Sequence, residues 1–200
     1  MKTMRSLLLS LVATSTLVAC GGAPDITGHW VSEGVETRSG ANNSKLYVKR
    51  DFQTAATHST ARFDFFADEA GTQPTVSVWL DGPYTLLGPS SSVQGAYEGN
   101  FTFATLKITP KSSGMVDYLN GSAAGTCGSQ PFSVGVEQDV SATGGCLALG
   151  LDLKNKPTEY DLVKRDGDKL YYGARPTDGS GLDSPAKRPT ALQVPVVLSK

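Results

Sequence analysis

Histidine is almost missing from this chain: His29 and His58 are the only two in 200 residues. A metal site needs three or four ligands in geometric register. No His-Glu-x-x-His or comparable spacing is present, so no metal site is expected. A Gly-x-Ser-x-Gly nucleophile elbow is absent too, as is a phosphate-cradling glycine loop; Gly144-Gly145 lacks the flanking pattern. These absences leave catalysis no obvious machinery, and the reading is a non-enzymatic protein without a cofactor. Positive charge is not in excess, with 18 Lys and Arg against 19 Asp and Glu. A nucleic-acid partner, which calls for a basic patch, is therefore not expected. No apolar run after residue 20 reaches the ~20 residues that cross a bilayer as a helix. There is no internal repeat and little helical periodicity.

What the chain does have begins at its N-terminus. Lys2 and Arg5 precede a run from Leu7 to Val18 that is apolar apart from Ser and Thr. A basic start, a short apolar stretch and small residues at a cleavage point describe a secretory signal peptide over residues 1–19. Leu17-Val18-Ala19-Cys20, followed by Gly21-Gly22, resembles the lipobox of bacterial lipoproteins. That resemblance implies acylation of Cys20 by fatty acids such as palmitate, making membrane attachment through Cys20 a partner expectation. Several acyl chains anchor firmly where one is marginal. Gly21 stands where an inner-membrane retention signal would place Asp, so the resemblance points to the outer membrane of a Gram-negative bacterium. Losing Lys2 and Arg5 with the signal would take the net charge from −1 to −3. Residues 20–25 then form a lipidated linker and residues 26–200 one domain, long enough to bury a core without staples.

Cys127 and Cys146 remain as an even pair in an oxidising compartment, and a disulfide between them is expected. The other reading, a metal-binding or catalytic thiol, has no Cys-x-x-Cys and no histidine nearby in sequence to support it.

Strand patterns fill the rest. Candidates run over residues 26–32, 46–53, 60–67, 75–80, 84–87 and 95–109, with a shorter piece at 116–119. Phe63 and Phe65 share one face by two-residue alternation. Asp81-Gly82-Pro83 reads as a stop between two strands. In the segment 95–109, Phe101 and Phe103 lie on one face and Ala104, Leu106 and Ile108 on the other, as in a strand covered on both sides. Residues 160–165 and 169–174 flank Asp166-Gly167-Asp168 as a hairpin. A last strand spans 191–198, with Pro195 at an edge or bulge. Residues 110–114, 121–131 and 175–190 read as loops. The fold class is all-β: a single antiparallel barrel or half-barrel of about eight to ten strands, with long loops.

Several segments, in order, resemble the APCDD domain, named for the adenomatosis polyposis coli down-regulated proteins, animal antagonists of Wnt signalling. They are Thr27-Gly28-His29-Trp30-Val31-Ser32-Glu33, Glu36-Thr37-Arg38-Ser39-Gly40 and Lys49-Arg50-Asp51-Phe52. Phe66-Ala67-Asp68, Pro74, Gly95-Ala96-Tyr97-Glu98 and Cys146 follow. Tyr160 to Arg165, Leu170 to Gly173, Arg188-Pro189-Thr190 and Gln193-Val194-Pro195 complete the set. The resemblance implies cysteines where this chain has Val35 and Gly71, both missing together as partners would be. It implies one domain here against two in the animal proteins, and a barrel with an apolar pocket for a lipid or for an acyl group on a partner protein.

Barrels of this strand number can enclose one small ligand. Phe63, Phe65, Trp79, Tyr84, Phe101, Phe103 and Tyr172 are the candidate pocket residues, while Trp30 resembles the tryptophan that closes lipocalin-like barrels. Only Gly21 to Asp25 separate Cys20 from the first strand. At ~3.5 Å per residue that tether holds the domain close to the bilayer, where a pocket would meet lipids or acylated proteins. The expected function is a membrane-anchored binder of a lipid or other apolar ligand. The alternative is a structural or protein-interaction lipoprotein whose barrel is filled.

Overall fold

The computed structural model describes residues 22–40, 44–129, 131–178 and 180–200. The signal peptide and Cys20 lie outside the described residues. Thirteen strands and one α-helix are present among the described residues. The first seven strands are β1 (Gly28–Val31), β2 (Glu36–Ser39), β3 (Lys45–Thr54), β4 (His58–Phe66), β5 (Pro74–Pro89), β6 (Tyr97–Thr102) and β7 (Thr105–Pro110). Helix α1 (Ser113–Asn120) comes next. It is followed by β8 (Gln138–Asp139), β9 (Gly145–Cys146), β10 (Leu151–Asp152), β11 (Thr158–Asp166), β12 (Lys169–Tyr172) and β13 (Val196–Leu198).

Eight strands close into an antiparallel barrel, in the order β3-β1-β13-β12-β11-β6-β5-β4 and back to β3. Two long strands change neighbours partway along. β3 pairs with β1 over residues 51–54 but with β2 over residues 45–48. β5 pairs with β6 over residues 84–89 but with β7 over residues 76–81. The molecule is therefore a closed barrel at one end and an open, flared half-barrel at the other, where β2 and β7 extend the walls.

The closed end is filled. Trp30 is fully buried and donates from Nε1 to the Ile26 carbonyl at 2.9 Å. The Arg165 guanidinium lies 5.3 Å from its ring centroid. Above it an aromatic stack fills the bore, with centroids 4.6 Å apart for Phe52–Tyr172, 5.8 Å for Phe101–Tyr172 and 5.6 Å for Tyr84–Phe101. Such pairs add about 0.5–1.5 kcal/mol each beyond the area they bury.

Four strand expectations change. Residues 116–119 lie in α1, because the Ser112 side chain accepts from Met115 N and caps the helix, which ends at Gly121. Asp81-Gly82-Pro83 does not stop β5, which runs through it. Gly82 serves close approach rather than a turn: a Cβ there would overlap the Thr102 carbonyl oxygen. The segment 95–109 is interrupted at Phe103-Ala104, where Phe103 N donates to Pro157 O and Ala104 N to Asp81 O. The final strand shrinks to Val196–Leu198, just after Pro195. The β11–β12 hairpin turns at Gly167, whose φ of 58° suits glycine.

The Cys127–Cys146 disulfide is formed. It ties the segment after α1 to β9, and Leu147 N donates to Thr126 O beside it. The loop before β13 is held by Arg188, which donates to the carbonyls of Gly99 and Asp161 and to Asn100 Oδ1, with Glu98 3.2 Å away. Asp183 pairs with Lys156 and Lys187. These two side chains, hydrogen-bonding to its carboxylate, pull its pKa down to about 2.

Candidate functional site

The flared half of the barrel holds a cavity of about 750 Å³, inside the range of about 300–1,000 Å³ seen for ligand pockets. Alternation along the strands builds its walls. Val48 on β3, Phe63 and Phe65 on β4, and Val76, Val78 and Leu80 on β5 all face inward. Met115 of α1 and Leu149 and Leu151, beside the disulfide-tied β9, cover one side. Residues 174–177 of the Arg188-held loop cover another. Leu46 and Val194, both exposed, sit at the mouth.

The cavity floor is ionic. Arg50 is on the inward face of β3, between Val48 and Phe52, with its side chain fully buried. Its Nε donates to Glu36 Oε1 at 2.8 Å and its Nη2 to the Val194 carbonyl at 2.6 Å. Glu36 Oε2 accepts from Arg38 Nε and Nη2, and Arg175 Nη2 donates to Glu159 Oε2 at 2.7 Å. Asp161 Oδ1 accepts from the backbone N–H groups of Leu162 and Gly173. Burial pushes the Asp161 carboxyl up to about 6 against the pull of Arg175. Burial raises Glu36 as well, but Arg50 and Arg38 outweigh it and hold that carboxyl below its usual range. Burial, with Arg50 beside it, lowers Arg38 to about 10. Burial also raises the Tyr172 hydroxyl. A second, small chamber of about 30 Å³ lies among Arg50, Asp161, Tyr172, Phe101 and Phe103. It shares Arg38, Phe63, Glu159, Arg175 and Gln193 with the large cavity.

The seven candidate pocket residues separate into groups. Phe63 and Phe65 line the large cavity. Phe101, Phe103 and Tyr172 surround the small chamber below it. Tyr84 is at the closed end, stacked on Phe101 with its hydroxyl donating to the Ala55 carbonyl, and lines neither space. Trp79 is a correction: it alternates with the inward Val78 and Leu80, so it faces outward, with Lys107 Nζ 4.9 Å from its ring centroid. The ionic floor is absent from the sequence-based candidates. Its signal was there in the alternation of β3, where Arg50 holds the parity of Val48 and Phe52.

The chain enters at the filled end. Gly28 pairs with Thr54, and Arg165 Nη1 donates to the Asp25 carbonyl. Leu46, at the mouth, is eight residues from Thr54 along β3, a rise of ~27 Å at ~3.4 Å per residue. Entry and mouth are at opposite ends of the barrel.

A model of the family described as adenomatosis polyposis coli down-regulated 1 matches residues 7–143, more than half of the chain. The match takes in β1 to β8, and with them every cavity-lining residue of β2 to β5. The later segments of the resemblance, from Cys146 to Pro195, lie beyond it.

Proposed function

This chain belongs to the adenomatosis polyposis coli down-regulated 1 family, and on that footing we propose that it is a membrane-anchored lipoprotein that binds a lipid or another long apolar ligand in the flared half of its barrel. The observation that carries this reading is the cavity of about 750 Å³ walled by Phe63, Phe65, Val76, Val78 and Leu80. A filled interaction barrel has no need of such a space, since protein interiors otherwise pack to crystal-like density. Lipidation at Cys20 and placement in the outer membrane rest on the Leu-Val-Ala-Cys sequence and the residues around it.

The geometry changes how such a binder would work. With the anchor before Gly22 and the chain entering at the Trp30 end, the mouth at Leu46 and Val194 faces away from the bilayer that holds the protein. A ligand would then arrive from the periplasmic side, carried or free, rather than by direct partition from the anchoring leaflet. Displacement of an environment-sensitive fluorescent fatty acid tests the proposal. The parent protein should bind the probe. A Val78→Trp variant, with bulk projecting into the cavity, should lose at least about tenfold in affinity while keeping its far-ultraviolet circular dichroism and a cooperative unfolding transition. That loss corresponds to about 1.4 kcal/mol. Equal binding by both proteins, or none by the parent, would overturn it.

A further inference from the structure

The ionic floor engages its carboxylates but leaves two buried polar atoms unfilled, Arg50 Nη1 and the Tyr172 hydroxyl. Both Glu36 oxygens are engaged, by Ser32 and Arg50 on one and Arg38 on the other. Glu159 is paired with Arg175, and Asp161 accepts two backbone N–H groups. Arg50 Nη1, by contrast, is buried without a hydrogen-bond partner. The Tyr172 hydroxyl is buried too, beside Thr54 but without a hydrogen bond of good geometry. Leaving a buried donor without a partner is costly, more so when it is charged. Both residues line the small chamber that adjoins the apolar cavity.

Size narrows what can fill it. A volume of about 30 Å³ holds roughly two water-sized atoms, at about 10–15 Å³ each. A flat carboxylate is smaller than a tetrahedral phosphate with its ester link, so a space this small favours the carboxylate.

We propose that the chamber takes the carboxylate of a free fatty acid, whose oxygens accept from Arg50 and Tyr172 while its chain lies among Phe63, Phe65 and the β5 valines. This rests on the lipid-binding reading and sharpens it. The preferred ligand is then a free acid rather than an acyl group esterified to a protein or to glycerol, because an ester brings no charge to the guanidinium. Guanidinium–carboxylate hydrogen bonds are among the stronger ones in proteins.

Calorimetric titration of the purified protein with hexadecanoic acid, its methyl ester and hexadecyl phosphate tests this. The acid should bind at least about tenfold tighter than the ester, the value of one hydrogen bond to a charged group. Tyr172→Phe should weaken the acid several-fold and leave the ester unchanged. The double variant Arg50→Met with Glu36→Gln should abolish the preference. If Arg50→Met with Glu36→Gln does not fold, Tyr172→Phe alone decides. Acid and ester binding alike would overturn the carboxylate site and leave the apolar pocket standing, with water in the chamber. Tighter binding of the alkyl phosphate would overturn the choice of carboxylate. No binding of any of the three would overturn the lipid-binding reading itself, and this site with it.

Discussion

A Cβ built on Gly71 would lie 2.6 Å from Cγ2 of Val35. These are the two positions at which resemblance to the APCDD domain implies cysteines, and the fold brings them side by side across the loops after β1 and β4. Restoring the pair should therefore restore a bond. In a Val35→Cys, Gly71→Cys double variant, thiol titration after air oxidation should find no free thiol. The midpoint of urea unfolding should rise by the equivalent of about 2 kcal/mol. The loop closure is worth about 3–4 kcal/mol, offset by about 1–2 kcal/mol because residue 71 has φ of +68°. Two free thiols in the folded protein would contradict the juxtaposition.

Arg50 and Glu36 should prove strongly coupled. Arg50→Met alone leaves Glu36 with a buried oxygen stripped of its main cation, and Glu36→Gln leaves the buried Arg50 guanidinium short of its anion. Each should cost about 3–5 kcal/mol in urea unfolding, whereas the double variant should cost well under the sum. Additive losses would mean that the two side chains do not act as a buried pair.

Asp161 should make stability fall as pH rises. Its carboxyl titrates near 6 when folded and near 3.8 when unfolded. Between those values the unfolded chain gives up a proton that the folded one keeps, so raising pH favours unfolding. Below the window both forms are protonated and nothing is lost. Asp161→Asn keeps an oxygen for the Leu162 and Gly173 N–H groups and removes the titration. Its stability relative to the parent should climb from near zero at pH 4 towards, at most, about 3 kcal/mol above pH 6, from roughly two pKa units at 1.36 kcal/mol each. A flat difference across that range would show that the carboxyl is not buried as described.

Period-two alternation made most of the barrel legible before the structure. It placed β3, β4 and the β11–β12 hairpin within a residue or two, because each has one apolar face in a closed core. It failed where backbone approach rather than side-chain chemistry decides. Asp81-Gly82-Pro83 carries every local mark of a turn, yet Gly82 is there to let Thr102 come close. Val116, Tyr118 and Leu119 are β-compatible, but the cap from Ser112, outside that window, makes residues 116–119 helical. Sequence groups the aromatics as one pocket because it gives the face of a residue and not its height along the barrel. The change of partner on β3 and β5 divides them into a filled end and an open one. The ionic floor is only partly legible for a related reason: alternation puts Arg50 on the inward face, but Glu36, Arg50, Glu159 and Arg175 are far apart in sequence, and closure of the barrel brings them together.

A lipid binder of this design would hold a lipid in its flared cavity in the cell. Native mass spectrometry of the full chain, purified from membranes with its copurified lipids, tests this most directly. One acyl species should be bound per chain, beyond the acylation proposed at Cys20. It should be lost in Phe65→Asp, which puts a charge on the cavity wall, and retained in Trp79→Asp, which puts the same charge on the outer face. A chain carrying only its covalent mass, unchanged after incubation with fatty acids, would contradict lipid binding.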